Sequence, residues 1–343
     1  MGQAFDPGGL KFKGKPLSIA ESVDYYNPRD IGYFSVAQNV LLYRQAETRK
    51  RELVWLDAAG NQLEPWGEAA PFASGVLTPR NHAAVLTRAN PDGHGSSLWL
   101  ADTERKSITR LTPDSEFEEG GAVSVDGKSV VIVSTSGYHS KWERRSLLSS
   151  EVDDKKEFEG AYYLAGQSYD GRYIFVSVQD PKTGFDLYYA DQQGDRKLVP
   201  FLNSPFNEYD ARLSPDNRWL AYSSNENGSR EVYVTPFPTG GAKWQVSSGG
   251  VVGLVNQDRL AMDWSPDGKS LRYFQKGKIF TVDVRVNDGK PEFSAPKEMI
   301  TVPQDVDVLS IMTDGKRMLA TRSVGQGGAA PIGLVLNWEH LLQ

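Results

Sequence analysis

The sequence predicts an all-β protein, a seven-bladed β-propeller whose blades are four-stranded antiparallel sheets. The first observation is a repeated strand-like phrase, an aliphatic and aromatic run followed by polar residues, whose copies are spaced by 45, 44, 45, 45, 47 and 55 residues. The copies begin at Leu53, Leu98, Trp142, Leu187, Val232, Ile279 and Leu334. A period near 45 residues, with several short β-like runs in each period, is typical of propeller blades.

The second observation is a turn phrase, Ser-Pro-Asp-Gly, that precedes these strands. It is clear at 214–217 and 265–268 and degenerate at 125–127, 169–171 and 313–315. Proline presets the first turn dihedral, and Gly or Asn tolerates the positive φ that closes the turn, so the aspartates are interpreted as structural turn formers. The best-preserved repeat then predicts four strands, at 209–213, 219–223, 231–235 and 243–246.

The repeats divide the chain into blades within a single domain spanning residues 1–343. Six blades are predicted at approximately 23–68, 69–114, 115–160, 161–206, 207–252 and 253–304. Residues 1–22 and 305–343 are predicted to share the closing blade, followed by a short helix at 338–342. Such closure would leave no unpaired sheet edge in the ring.

The composition disfavours a nucleic-acid-binding function. The chain has 38 basic and 44 acidic residues and a net charge of −6, whereas phosphate binding requires clustered Lys and Arg. No apolar run is long enough to span a membrane, and the first residues lack the basic and apolar regions of a signal peptide. The chain as written therefore carries no export signal, no membrane insertion is expected, and its location is left open. Cysteine is absent.

Acidic residues are frequent in the segments that connect the fourth strand of one blade to the first strand of the next. Such connectors surround the mouth of a propeller channel, and carboxylate oxygens are the ligands of a hard cation such as calcium. The candidate metal ligands are Glu118, Glu119, Glu208, Asp210, Asp263 and Asp307. The other interpretation is that these are ordinary polar residues of solvent-facing loops.

The catalytic candidates are few. His82 opens a predicted strand where the turn phrase is lost, and it is the one histidine considered as a catalytic base, although no orienting partner is evident. A Gly-x-Ser-x-Gly nucleophile motif is absent, because Asp170 occupies the place of the last glycine in the segment that begins at Gly166. The sequence also contains no kinase phosphate loop and no His-Arg-Asp loop.

Several segments resemble a known family, the TolB-like propellers, and most closely the C-terminal propeller of acidobacterial-type serine/threonine protein kinases. The segments are 51–58 (RELVWLDA), 181–187 (PKTGFDL), 194–214, 215–238 and 334–338. The resemblance spans nearly the whole chain and is strongest between about residues 180 and 248. It implies an extracytoplasmic or periplasmic sensing module, and the absence of kinase motifs suggests a fragment or relative of a receptor kinase.

Two functions remain open from the sequence. The first is a non-catalytic, monomeric sensor propeller that binds a protein or a small molecule at the channel mouth or on the propeller face. The second is a metal-dependent hydrolase, with calcium in the channel, that acts promiscuously on lactone, ester or phosphotriester bonds. The sequence identifies neither a ligand nor a substrate.

Overall fold

The structure is a computed structural model. It describes residues 1–20, 23, 25–26, 31–45, 50–63, 65–78, 83–90, 95–113, 118–124, 126–136, 138–147, 149, 151–251, 262–311, 316–324 and 332–342. Where the sequence suggests one body, the chain divides into two compact units. The smaller comprises Met1–Arg49, Pro91–His94 and Gly325–Gln343, and the larger comprises Lys50–Asn90 and Gly95–Val324.

The smaller unit begins with six short strands. They are β1 (Gly2–Asp6), β2 (Lys11–Leu17), β3 (Tyr25–Tyr26), β4 (Ile31–Gly32), β5 (Phe34–Ala37) and β6 (Val40–Arg44). β1 pairs with β2, and β3 pairs with β4. The rings of Phe5 and Phe12 meet edge to face across the β1–β2 hairpin, with centroids 5.4 Å apart.

The larger unit consists of antiparallel sheets made almost entirely from consecutive strands. Its strands are β7 (Arg51–Asp57) and β8 (Trp66–Ala70); β9 (Phe72–Leu77), β10 (Ala83–Ala89), β11 (Ser96–Asp102) and β12 (Ser107–Arg110); β13 (Glu118–Val123), β14 (Ser129–Ser136), β15 (His139–Ser146) and β16 (Val152–Glu159); β17 (Ala161–Gln167), β18 (Tyr173–Asp180), β19 (Gly184–Asp191) and β20 (Val199–Leu202); β21 (Glu208–Leu213), β22 (Trp219–Ser224), β23 (Glu231–Pro236) and β24 (Trp244–Gln245); β25 (Met262–Trp264), β26 (Ser270–Gln275), β27 (Lys278–Asn287), β28 (Lys290–Phe293) and β29 (Lys297–Thr301); β30 (Val306–Ile311) and β31 (Arg317–Ser323). β32 (Ile332–Leu336) returns to the smaller unit, where it pairs with β6, and a 3₁₀ helix follows at Trp338–Leu342.

Six sheets can be defined in the larger unit. Sheet 1 has the order β30-β31-β7-β8, and sheets 2 to 5 contain β9–β12, β13–β16, β17–β20 and β21–β24; sheet 6 contains β25–β29. The first strand of each sheet is β30, β9, β13, β17, β21 or β25, and each lies at an edge of its sheet. Contacts run from each sheet to the next, and β25 of sheet 6 contacts β30 of sheet 1.

Sheet 1 pairs the chain differently from the sequence prediction. β31 pairs with β7, from Arg317 opposite Asp57 to Ser323 opposite Arg51, whereas β1 and β2 pair with each other. The physical reason is apolar burial: β7 carries the apolar run Leu53–Leu56, which is buried, while every residue of the lysine-rich β2 is exposed. The described residues of the larger unit therefore form six such sheets, and residues 1–20 are not part of them.

The apolar cores lie between neighbouring sheets. For example, Leu53 and Leu319 of sheet 1 pack with Leu86 of sheet 2, and Phe175 of sheet 4 packs with Leu220 of sheet 5. Because both faces of most sheets are covered, the strands carry continuous apolar runs instead of a simple alternation. This packing of sheet on sheet is that of a propeller body.

The turn phrase has the predicted structural role. In four repeats a serine hydroxyl donates to the aspartate two residues later, with oxygens 2.6 Å apart, and accepts the backbone N–H five residues later at 2.9 to 3.0 Å. The serines are Ser124, Ser168, Ser214 and Ser265. Their partner aspartates are therefore confirmed as turn formers.

Candidate functional site

The candidate site is a cavity of about 80 Å³ where the first strands of the six sheets approach one another. All six strands contribute to its wall, and so do residues of the turns that follow them. One lining residue from each strand is Val76 (β9), Val123 (β13), Gln167 (β17), Arg212 (β21), Asp263 (β25) and Ser310 (β30). These positions lie towards the carboxyl ends of the strands, with the exception of Asp263 in the middle of the three-residue β25.

Arg212 is held in a fixed position by backbone groups. Its Nη1 donates to the carbonyl oxygens of Ala165, at 3.1 Å, and Ala211, at 2.9 Å. Gly166 makes this possible, because a Cβ at that position would come within 2.6 Å of Arg212 Nη1 and would collide with the Ala211 carbonyl. The close approach of β17 and β21 therefore requires glycine at residue 166.

Asp263 brings a carboxylate to the same cavity. Its Oδ1 accepts the backbone N–H of Trp264 at 2.9 Å, and the indole Nε1 of Trp264 donates to the carbonyl of Arg212 at 2.9 Å. Burial raises the pKa of Asp263 to about 6, although the positive charges of Arg212 and Arg272 oppose the shift. Since the pKa lies below 7, the carboxyl group is mainly ionised at neutral pH.

Arg212 and Asp263 are the charged side chains of the cavity wall within the described part of the chain. Apolar side chains, among them Val85, Leu164 and Leu213, make up much of the remaining wall. A cavity that combines apolar surface with a few placed polar groups is a common form of small-molecule site, and this cavity combines both kinds of surface. The arrangement can offer hydrogen-bond donors and a positive charge at one point and a negative charge at another.

The other predicted metal ligands are placed differently. Glu208, Asp210 and Asp307 lie near the amino-terminal ends of β21 and β30, away from the cavity-lining ends of those strands. The backbone of Glu118 and Glu119 forms the start of β13, but their side chains lie outside the described residues, as does all of His82. Within the described ranges, no three Asp, Glu or His side chains converge so as to hold a metal ion.

Two of these carboxylates are engaged by arginines from elsewhere in their own sheet: Arg230 directly precedes β23, and Arg51 begins β7. Asp210 Oδ2 accepts from Arg230 Nη2 at 2.6 Å and from the Ser223 hydroxyl at 2.8 Å. Asp307 forms an ion pair with Arg51, which also donates to the Thr321 hydroxyl at 3.1 Å. Both aspartates thus join their first strand to the interior of their own sheet.

Glu208 has a different environment. It is 3% exposed, its Oε1 accepts from the Ser204 hydroxyl, and its Oε2 is buried and has no hydrogen-bond partner in the described part of the chain. Burial raises its pKa to about 7; the Ser204 hydrogen bond opposes the shift, and the charges of Asp186 and Glu226 add to it. The carboxyl group is therefore partly protonated at neutral pH.

The sequence did not single out Arg212, the residue that gives the cavity its positive charge. An arginine in an alternating strand is usually taken as solvent-facing. The available signal was Gly166 near the start of the preceding predicted blade (161–206), because a glycine within a strand often marks the close approach of another group. The Ser168 hydroxyl, considered for a nucleophile motif, instead holds the turn at Asp170.

Comparisons with known proteins identify the fold. No family model matches the sequence, and no curated protein matches it. A protein of Agrobacterium tumefaciens assigned as a TolB superposes with a TM-score of 0.56 at 12% identity, covering 81% of this chain and 99% of that chain. The hydrazine synthase of Kuenenia stuttgartiensis superposes with a TM-score of 0.52 at 13% identity, covering 89% of this chain and 94% of that chain.

A third structure, TolB from Acinetobacter baumannii, has a TM-score of 0.48 at 13% identity and covers 85% of this chain and 68% of that chain. At these identities the similarity concerns the fold alone. No helix in the described ranges is both long and apolar enough to cross a membrane. The chain is similar in fold to TolB-like β-propellers, and the TolB-like part of the sequence resemblance is confirmed at that level.

Proposed function

We propose that this chain is a non-catalytic binding propeller and that the cavity enclosed by its six first strands receives a small ligand. The observation that carries the proposal is that two oppositely charged side chains, Arg212 and Asp263, line one cavity whose remaining wall combines apolar and uncharged polar groups. Burying a charged side chain costs free energy unless it is paired or bound to a ligand. A cavity that carries both an arginine and an aspartate is therefore suited to a polar ligand.

In this proposal the six sheets form a closed ring of six blades, in place of the seven blades that the repeat count predicted. Sheet 1 is the closing blade, because it joins β30 and β31 from the end of the larger unit to β7 and β8 from its beginning. The contact between β25 and β30 supports this closure. A closed ring gives the cavity a continuous wall and fixes the relative positions of Arg212 and Asp263.

The proposal includes a sensing role of the receptor-kinase type, outside the cytoplasm. Its support is the sequence resemblance between about residues 180 and 248. Sequencing the gene upstream of the Met1 codon tests this part. A continuous reading frame encoding a membrane helix and a kinase domain is the expected result, and an in-frame stop codon immediately upstream would contradict it.

Thermal unfolding with a panel of small anions, amines, amino acids, sugars and short peptides tests the binding function. A compound that binds only the native state raises the melting temperature according to RT ln(1 + [L]/Kd). We expect at least one compound to stabilise the wild-type protein and not the Arg212→Gln or Asp263→Asn variants. Metal-dependent turnover of lactones, esters or phosphotriesters by the wild-type protein would contradict the non-catalytic assignment.

A further inference from the structure

Two charged side chains of the cavity wall, Arg212 and Asp263, interact electrostatically but form no ion pair with each other. Arg212 belongs to sheet 5 and Asp263 to sheet 6, and the Trp264 indole connects their backbones through its bond to the Arg212 carbonyl. The positive charge of the Arg212 guanidinium acts on the Asp263 carboxyl group. Among the described residues, however, no ion pair within 4.0 Å joins these two side chains. Because both groups line the same cavity, a ligand bound in it can contact both.

The free edge of the Arg212 guanidinium determines what can bind there. Its Nη1 is used by the Ala165 and Ala211 carbonyls, whereas Nε and Nη2 form no hydrogen bond with the described residues. These two nitrogens carry parallel N–H groups on one edge, the arrangement that matches the two oxygens of a carboxylate. Because Nη1 is anchored to the backbone, this edge is oriented before a ligand arrives, which lowers the entropic cost of binding.

Asp263 supplies the complementary charge. Its Oδ1 already accepts the Trp264 N–H, and the remaining acceptor positions of a carboxylate suit an ammonium group. The raised pKa of Asp263, about 6, means that this acceptor charge is present at neutral pH and is lost in mild acid.

The size and the wall of the cavity limit the ligand. A cavity of roughly 150 Å³ accommodates benzene, so about 80 Å³ suffices for an acid group, an amine and very few carbons. Val76, Val85 and Leu164 give an apolar surface against which a short aliphatic group can pack. Larger sugars, nucleotides and aromatic amino acids exceed this volume.

We propose that the cavity binds a small zwitterion of the α-amino-acid type, with its carboxylate on the Nε–Nη2 edge of Arg212 and its ammonium group on Asp263. This inference rests on the proposed function, because it names the ligand class of the same cavity. It goes beyond that function by requiring both charged groups in a single small molecule.

Isothermal titration of the whole chain with L-alanine, L-alaninamide and N-acetyl-L-alanine tests the inference. L-Alaninamide lacks the carboxylate, and N-acetyl-L-alanine lacks the ammonium group. We expect L-alanine to bind at least about tenfold more tightly than either analogue. The loss of one charged contact in a desolvated site weakens binding by at least this factor. Arg212→Gln and Asp263→Asn should each weaken L-alanine binding by a similar factor.

Matched variants separate the site from general charge effects. Arg285→Gln and Asp283→Asn remove an arginine and an aspartate from exposed positions of β27, and both should bind L-alanine as the wild-type protein does. Melting curves of all four variants identify any that fail to fold. In the wild-type protein, the affinity for L-alanine should fall between pH 7 and pH 5, and in Asp263→Asn it should not change over this range.

The outcomes distinguish the two proposals. Equal or tighter binding of an analogue would overturn the zwitterion inference, because the site would then recognise one charge only, while the binding function would stand. No binding of L-alanine would also overturn the inference, and the panel of other ligands would then decide the proposed function separately.

Discussion

Arg230 donates from Nη2 to Asp210 Oδ2 at 2.6 Å, and this ion pair holds the first strand of sheet 5 to the interior of the sheet. Asp210 lies at a β-bulge, has φ of 49° and is 4% exposed. The Ser223 hydroxyl donates to the same oxygen at 2.8 Å, and the Arg230 guanidinium lies over the Tyr209 ring, 4.4 Å from its centroid. The carboxylate predicted as a metal ligand is thus part of a buried hydrogen-bond network.

Asp210→Ala should lower the free energy of unfolding by about 3 to 5 kcal/mol, because it removes one partner of a buried pair. Asp210→Asn should cost less, since asparagine tolerates the positive φ and retains an acceptor oxygen. Urea unfolding measures both. As a control, Asp283→Ala removes the exposed pair with Lys297 and should change stability by less than about 1 kcal/mol. Equal losses for Asp210→Ala and Asp283→Ala would contradict a structural role for Asp210.

The turn serines should contribute to stability in the same way in each repeat. Ser214→Ala removes the bond to Asp216 and the acceptor of the Trp219 N–H, and we expect a loss of about 1 to 3 kcal/mol. Thermal and urea unfolding measure the loss. Ser149→Ala, at an exposed turn, serves as the control and should stay within about 0.5 kcal/mol of the wild-type protein. A neutral effect of Ser214→Ala would show that the phrase is dispensable for the fold.

Glu208 should make stability depend on pH. Its pKa is about 7 in the folded protein and 4.5 when unperturbed, so the unfolded chain releases the proton first as the pH rises. Between about pH 4.5 and 7 the contribution of Glu208 to stability therefore falls, by about 3 kcal/mol in total. The difference in unfolding free energy between wild type and Glu208→Gln, measured from pH 4 to pH 8, isolates this effect.

Glu292→Gln, at an exposed position of β28, provides the control for the pH series, and its difference from the wild-type protein should be flat. If the curves for wild type and Glu208→Gln were parallel over the whole range, Glu208 would have an ordinary pKa and the proposed burial of its carboxyl group would be wrong.

The pairing of β31 with β7 can be tested by a disulfide, because the chain contains no cysteine. Glu52 and Arg322 are directly opposite each other in this pair. Opposed Cα atoms in an antiparallel sheet are about 4.5 to 5.5 Å apart, which is within disulfide range. The double variant Glu52→Cys with Arg322→Cys should therefore crosslink on mild oxidation, as seen by mass spectrometry, and should raise the melting temperature.

A control variant combines Glu52→Cys with Arg317→Cys. Arg317 lies opposite Asp57, which is five residues further along β7 than Glu52. That separation is about 16 Å at the rise of a strand, too far for a disulfide. Crosslinking of the control but not of the Glu52–Arg322 pair would contradict the register of sheet 1.

The sequence predicted the local structure of the larger unit well and its long-range pairing poorly. Strand runs and turn phrases depend on residues within one repeat, such as Ser214, Asp216 and Trp219, and local chemistry determines them. The partner of β31 lies more than 250 residues away, and the repeat pattern makes several strands equally plausible partners. Only the burial of the whole apolar run at Leu53–Leu56 distinguishes β7 from the exposed β2.

The site was predictable to a smaller extent. Asp263 was among the candidates, but it was grouped with carboxylates that the fold places elsewhere. Composition cannot reveal that Arg230 and Arg51 already engage Asp210 and Asp307, because those partners lie 20 and 256 residues away in the sequence. Arg212 can be recognised as a residue of the cavity only in the structure, where the lack of a side chain at Gly166 leaves room for the Arg212 guanidinium.

The most direct test of the central claim, that the cavity between the six first strands is the ligand site, is isothermal titration of a variant whose cavity is filled. Gln167→Trp places a large side chain on the cavity wall, and Gln193→Trp places the same side chain on an exposed turn. The ligand is the panel compound that stabilises the wild-type protein most. The account predicts one bound molecule per chain in wild type and Gln193→Trp, and no measurable binding in Gln167→Trp. Undiminished affinity in Gln167→Trp would contradict it.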